Sequence, residues 1–109
     1  MIVFYPNGSR VYFDSDGNYH RDNGPAVISD QGKSKYWFKH GVRHRKDGPA
    51  ADHNNGNKLW IVNGSLHRLD GPAVEYANGD KLWYLNGRQM TEEQWLRTVD
   101  KSSYSSIPF

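Results

Sequence analysis

The sequence contains no cysteine, which excludes a disulfide scaffold, a thiolate zinc site and a thiol nucleophile together. It also lacks any apolar run near the ~20 residues that a membrane-spanning helix needs. The opening MIVFYPNG is too short and too uncharged to read as a secretory signal. Cytoplasmic residence is the expectation. An excess of one charge is missing too, because 14 Lys and Arg stand against 12 Asp and Glu, a formal net charge of +2. Bulk attraction to nucleic acid or lipid is therefore not the first explanation of the chain. What it has in abundance is aromatic side chains: four Trp, seven Tyr and four Phe in 109 residues, at a mean hydropathy of −0.90. A single domain of this length buries only about two-thirds of its unfolded surface, so its core must be thin and carried by large side chains.

The chain repeats itself. His20-Arg21-Asp22-Asn23-Gly24-Pro25-Ala26, His44-Arg45-Lys46-Asp47-Gly48-Pro49-Ala50 and His67-Arg68-Leu69-Asp70-Gly71-Pro72-Ala73 are three copies of H-R-x-[DN]-G-P-A, 24 and then 23 residues apart. A second marker keeps step with the first: Asn7-Gly8, Gln31-Gly32, Asn55-Gly56 and Asn78-Gly79, each followed by a basic residue and an aromatic-rich run. Two markers in phase over four units establish a repeat domain from Ile2 to about Met90.

Each unit lacks a helical period and holds two extended runs between turn residues. The first run is Arg10–Asp14, Lys35–Lys39, Lys58–Val62 or Lys81–Leu85, rich in the aromatic and β-branched residues that suit a pleated surface. The second is Ala26–Ile28, Ala50–Asp52 or Ala73–Tyr76. Gly17, Gly41, Gly64 and Gly87 lie between them, followed by the H-R-x-D-G-P turn. Its Pro opens a strand where a missing N–H does least harm. The expected fold is all-β: a repetitive antiparallel meander of about four hairpin units and about eight short strands, in one domain spanning 1–109. Thr91-Glu92-Glu93-Gln94 has the form of a capping box and predicts a short helix over about 92–100. Trp95, Leu96 and Val99 give that helix an apolar side able to cover the last hairpin. A Ser-rich tail, 101–109, follows, in which Ile107 and Phe109 are candidates for docking.

The H-R-x-D-G-P-A…N-G-x-K-x-W-Y-x-N-G unit, ending in T-E-E-x-W, resembles the short repeats of small proteins from bacteriophages, giant viruses and bacteria. More distantly it is similar to MORN-type repeats and to the MORN-variant repeats of the YwqK-like antitoxin family. The resemblance covers roughly residues 5 to 98. It implies a β-hairpin scaffold that binds partners: a non-enzymatic protein of phage or viral type, in the host cytoplasm, that binds and inhibits a host defence protein. An antitoxin-like partner of a toxin is an alternative. Strict MORN units centre on a Tyr-x-Gly pattern that this sequence lacks, so lipid or coiled-coil binding does not transfer.

Among residues able to carry chemistry, a His beside an Asp looks like half of a general-base pair. Repetition argues against that reading, since an active site is needed once and a turn in every unit. His20, Asp22, His44, Asp47, His67 and Asp70 are accordingly read as structural turn residues, the carboxylates bonding local backbone amides and the imidazoles packing over or bonding to adjacent turns. No catalytic residue, metal or cofactor is assigned. His40 and His44 flank Gly41 on a turn, where their spacing of four carries no ligand geometry. A stacked ladder of His20, His44 and His67 is the remaining chelation alternative.

Strand alternation divides the first runs into two faces. One is apolar in all four units: Val11 and Phe13, Tyr36 and Phe38, Leu59 and Ile61, Leu82 and Tyr84. The other carries a basic residue and a large aromatic: Arg10 and Tyr12, Lys35 and Trp37, Lys58 and Trp60, Lys81 and Trp83. Either each Trp lies over the Ala of the neighbouring G-P-A strand with its Lys stem across the ring, or the stripe is open to a partner, since Trp, Tyr and Arg are enriched at interface hot spots. Between Gln31 and Lys46 there are six basic residues and no acid, so this stretch carries +6 and the remainder −4. The candidate partner-binding set is Lys33, Lys35, Trp37, Lys39, Arg43, Arg45, Lys46, Lys58, Trp60 and Trp83. A host protein is the expected partner. Single-stranded nucleic acid or a nucleotide, bound through phosphates and base stacking, is the alternative, and a solvated hairpin whose lysines discourage edge pairing is the plainest reading.

Overall fold

A computed structural model describes residues 1–102; most of the expected tail, with Ile107 and Phe109, lies outside the described residues. Among these residues thirteen strands and one α-helix follow in order: β1 Ile2–Phe4, β2 Arg10–Tyr12, β3 Val27–Ser29, β4 Ser34–Tyr36, β5 Phe38–Lys39, β6 Val42–Arg43, β7 Ala51–Asp52, β8 Lys58–Leu59, β9 Ile61–Val62, β10 Ser65–Leu66, β11 Val74–Glu75, β12 Lys81–Leu85, β13 Arg88–Met90 and α1 Glu92–Ser102. Nine of the strands form one antiparallel sheet in the order β1-β2-β3-β4-β7-β8-β11-β12-β13. The fold is an all-β meander with a C-terminal helix, thin and elongated at 48 × 32 × 17 Å.

The strands outnumber the eight expected because the first runs of the first three units break at their aromatic residue, whereas that of the fourth, β12, runs unbroken through Trp83. Trp37 donates its N–H to the Ala50 carbonyl at 2.8 Å in the main sheet, while its own carbonyl accepts from the His44 N–H at 3.1 Å in a separate hairpin. Trp60 does the same with Ala73 and His67 at 2.7 and 3.0 Å, and Tyr12 with Ala26 and His20 at 2.7 and 3.0 Å. At these residues the chain leaves one ladder and enters another. Every unit therefore supplies two hairpins. In units two to four the second is closed by a two-residue turn, His40-Gly41, Asn63-Gly64 or Asn86-Gly87, with both residues at positive φ. That is the type I′ geometry whose twist matches the flanking strands.

Register lines up two rows across the main sheet. One runs Val3, Val11, Val27, Tyr36, Ala51, Leu59, Val74, Leu82. This is the apolar row, and Val11, Ala51 and Val74 on it are buried. The other runs Arg10, Ile28, Lys35, Asp52, Lys58, Glu75, Lys81. Ala26, Ala50 and Ala73, the last residues of the three G-P-A turns, are completely enclosed at 0 % exposure.

The helix closes the array. Thr91 Oγ1 accepts the Gln94 N–H at 3.1 Å and Gln94 Oε1 accepts the Thr91 N–H at 2.9 Å, a complete capping box. Trp95 is buried and its indole N–H donates to the Arg68 carbonyl at 3.0 Å. The helix runs to Ser102, two residues past the expected end. Leu96, expected on the covering side, is half exposed, so Trp95 carries the docking. Among the described residues no helix is long and apolar enough to cross a membrane.

Candidate binding face

The aromatic stripe is capped from within the chain, by arginine. The guanidinium of Arg45 lies 3.9 Å from the Trp37 ring centroid, that of Arg68 3.8 Å from Trp60 and that of Arg21 4.0 Å from Tyr12. These separations are those of a cation–π contact. The strand lysines, expected to cover the rings with their stems, do not hold these positions. The reason lies in the second hairpin, which returns the residue after each turn His to the side of the aromatic eight or nine positions earlier. Each arginine is fixed further by donating Nη1 to a proline carbonyl: Arg21 to Pro25 at 3.3 Å, Arg45 to Pro49 at 3.1 Å and Arg68 to Pro72 at 3.0 Å. Glycine at the intervening position leaves room for this, since a Cβ on Gly48 would stand 2.6 Å from the Arg45 guanidinium carbon and one on Gly71 2.8 Å from that of Arg68.

The turn carboxylates serve these arginines. Asp47 accepts from Arg45 Nε at 3.0 Å and Asp70 from Arg68 Nε at 2.8 Å. The guanidinium groups are partners that the sequence reading did not name; at Asp47 a local backbone amide bonds the carboxylate as well, as expected. Arg45 beside it holds the Asp47 carboxyl below its usual range. In the first unit Asp22 accepts from Lys39 at 3.5 Å and contacts His20 Nε2 at 3.1 Å, and Lys39, then His20, holds it low.

The turn histidines link units. His20 Nδ1 accepts the His40 N–H at 3.0 Å, His44 Nδ1 the Asn63 N–H at 2.9 Å and His67 Nδ1 the Asn86 N–H at 2.9 Å. Each donor is the first residue of the next type I′ turn. Burial pushes the His67 imidazole below its ordinary range, and burial with Lys46 and Lys39 nearby does the same for His44. His40 stacks on His20 at 3.9 Å and contacts Asp14 at 2.7 Å, which holds the Asp14 carboxyl low. Among the described residues no group of three or more His, Asp or Glu converges as a metal site.

The candidate partner-binding residues do not share one surface. Arg43 lies on the side of Phe38, its cross-strand partner, with its guanidinium 5.5 Å from Tyr36 and 5.6 Å from Phe38. Lys33 and Lys35 are exposed on the turn before β4 and on β4 itself. Lys58 is 3.6 Å from Asp52, and Glu75 accepts from Arg68 Nη1 at 2.9 Å. The row Lys35, Asp52, Lys58, Glu75, Lys81 consequently alternates in charge, so the basic stripe read from the first runs is neutralised by acids from the second.

Three grooves lie along the aromatic face, beside Trp37, Trp60 and Trp83. A volume of about 540 Å³ opens between the turns at 21–24 and 44–47, with Trp37, Lys39, Arg45 and Lys46 in its lining. About 470 Å³ opens in the next unit around Trp60, Lys46, Asp47, Arg68 and Asp70. About 500 Å³ adjoins Trp83, with Lys81, Met90, Thr91 and Glu92. Trp37, Trp60 and Trp83 are partly exposed. Sequence reasoning missed the arginine caps, whose signal is the constant spacing of eight between Trp37 and Arg45 and between Trp60 and Arg68. It also missed Asp52 and Glu75 as members of the face. No protein-family model, curated protein or solved structure matches the chain.

Proposed function

We propose that the chain is a non-enzymatic module that binds a protein partner across its tryptophan face. The observation that carries this reading is the row of grooves at Trp37, Trp60 and Trp83, each a partly exposed indole with charged side chains in its lining. Rigid aromatic and arginine side chains in such settings yield large contact area at little entropic cost and dominate interface energetics. The same alternation of charge weighs against a nucleic-acid ligand, because phosphate binding draws on unpaired cations and Arg45, Lys58 and Arg68 each have an acid beside them. Inhibition of a host defence protein, or an antitoxin-like role, rests on the motif resemblance alone.

Lys46 is exposed, lines both the Trp37 and the Trp60 groove, and so probes the face without disturbing the fold. The experiment is capture from a lysate, with and without nuclease, by the wild-type chain and by Lys46→Glu, with melting temperatures compared. A protein retained by the wild type and lost by the variant at unchanged melting temperature is the expected result. Equal retention by both, or a captured species that disappears with nuclease, overturns the reading.

A further inference from the structure

Three of the four repeat aromatics carry an arginine of their own unit, and the fourth does not. Tyr12, Trp37 and Trp60 have Arg21, Arg45 and Arg68 over their rings. Eight residues after Trp83, where the arginine of units two and three falls, the chain has Thr91, whose hydroxyl caps α1. Among the described residues no cation lies over Trp83. The groove beside its ring is nonetheless built, at about 500 Å³. It also holds an acid: Glu92 lines it, is exposed, and has no ion pair among the described residues.

We infer that the Trp83 groove is a receptor for an arginine side chain presented by the partner, with the guanidinium stacked on the indole and paired to Glu92. This rests on the binding face proposed above and names the chemistry of one of its contacts. The chain itself supplies the precedent. In units two and three a guanidinium stacked on Trp is paired to a carboxylate, Arg45 with Asp47 and Arg68 with Asp70. Lys81 does not oppose such a guest, since Lys35 and Lys58 stand at the equivalent position, two residues before Trp37 and Trp60, where an arginine is already seated. Arginine suits the place better than lysine because its planar cation stacks on an aromatic face and forks onto a carboxylate at once.

The probe is a capped peptide with the chain's own residues 66–74, whose Arg68 covers Trp60 in the intact protein, together with the same peptide carrying citrulline in place of arginine. The readout is the four indole N–H signals of the ¹⁵N-labelled protein, with Trp83 identified by its loss in Trp83→Phe. The arginine peptide is expected to move the Trp83 signal saturably. Citrulline, of similar shape without the charge, should bind at least about five-fold more weakly, the loss of one cation–π contact. Glu92→Gln, at an exposed site with an unchanged melting temperature, should weaken the arginine peptide about two- to five-fold. A Trp83 signal that stays still, or that responds equally to both peptides, overturns the inference. Movement confined to Trp37 or Trp60 overturns it as well and leaves the binding face standing, whereas failure of the Lys46→Glu capture test strikes the face and not this groove.

Discussion

His67 Nδ1 accepts the backbone N–H of Asn86, nineteen residues downstream, at 2.9 Å. The bond joins a G-P-A turn to the hairpin of the following unit, and His44 with Asn63 and His20 with His40 repeat it. Each donor N–H belongs to a turn residue at positive φ and points away from its own hairpin, so without the imidazole it has no partner in the ladder. The histidine therefore couples neighbouring units in an array whose stability comes largely from such interfaces.

His67→Ala is expected to cost about 1–3 kcal/mol, through the lost hydrogen bond to Asn86 and the cavity left by a buried side chain. His67→Asn, which keeps an acceptor near the same place, should recover part of that loss. Urea denaturation of the three proteins checks this, and an unchanged midpoint in His67→Ala would contradict it.

The burial of the same imidazole makes stability depend on pH. An imidazole whose folded pKa is lowered stays neutral while the unfolded chain takes up a proton, so the stabilisation is complete above the unfolded value near 6.5 and is lost as pH falls below it. Wild type should therefore lose stability as pH falls below about 6.5 more steeply than His67→Asn, which has one fewer titrating group. Parallel pH profiles for the two would count against the assignment.

Gly71→Ala should destabilise by about 1 kcal/mol through a side chain it never replaces. The new methyl would meet the Arg68 guanidinium and push it off Trp60, with no backbone strain, because Gly71 does not sit at positive φ. In an Arg68→Ala background the same substitution should be nearly neutral. A double-mutant cycle that is additive would show that the arginine is not held where glycine leaves room for it.

How much of this was legible in the sequence depends on range. The in-phase glycines and the two-residue alternation sufficed for the meander, the apolar row and the pairing of Lys35 with Trp37 on one face, since these follow from local backbone geometry. The break at Trp37 and Trp60 was not legible, because nothing in the residue itself says that its N–H and C=O serve different ladders. Nor was the alternation of Lys35, Asp52, Lys58, Glu75 and Lys81, which needs the register set by the boundary turns. The arginine caps fall between these cases. Spacing of eight brings Trp37 to Arg45 only once a two-residue type I′ turn is assumed, and the longer Asp14–Asn18 loop makes it nine between Tyr12 and Arg21.

The capping box yields the last prediction. Thr91→Ala removes the Oγ1 acceptor of the Gln94 N–H and should cost about 0.5–2 kcal/mol. The loss should not stay local to α1. Trp95 is the buried anchor of the helix and its indole N–H bonds the Arg68 carbonyl, so fraying of the first turn loosens a contact that reaches into the third unit. Hydrogen exchange should accordingly quicken in Thr91→Ala at β12 and β13 and at the Arg68 turn, while β1 and β2 at the far end of the sheet stay as in the wild type. Uniform acceleration along the whole chain would mean that the array opens as one cooperative body, and faster exchange in the helix alone would mean that α1 caps nothing.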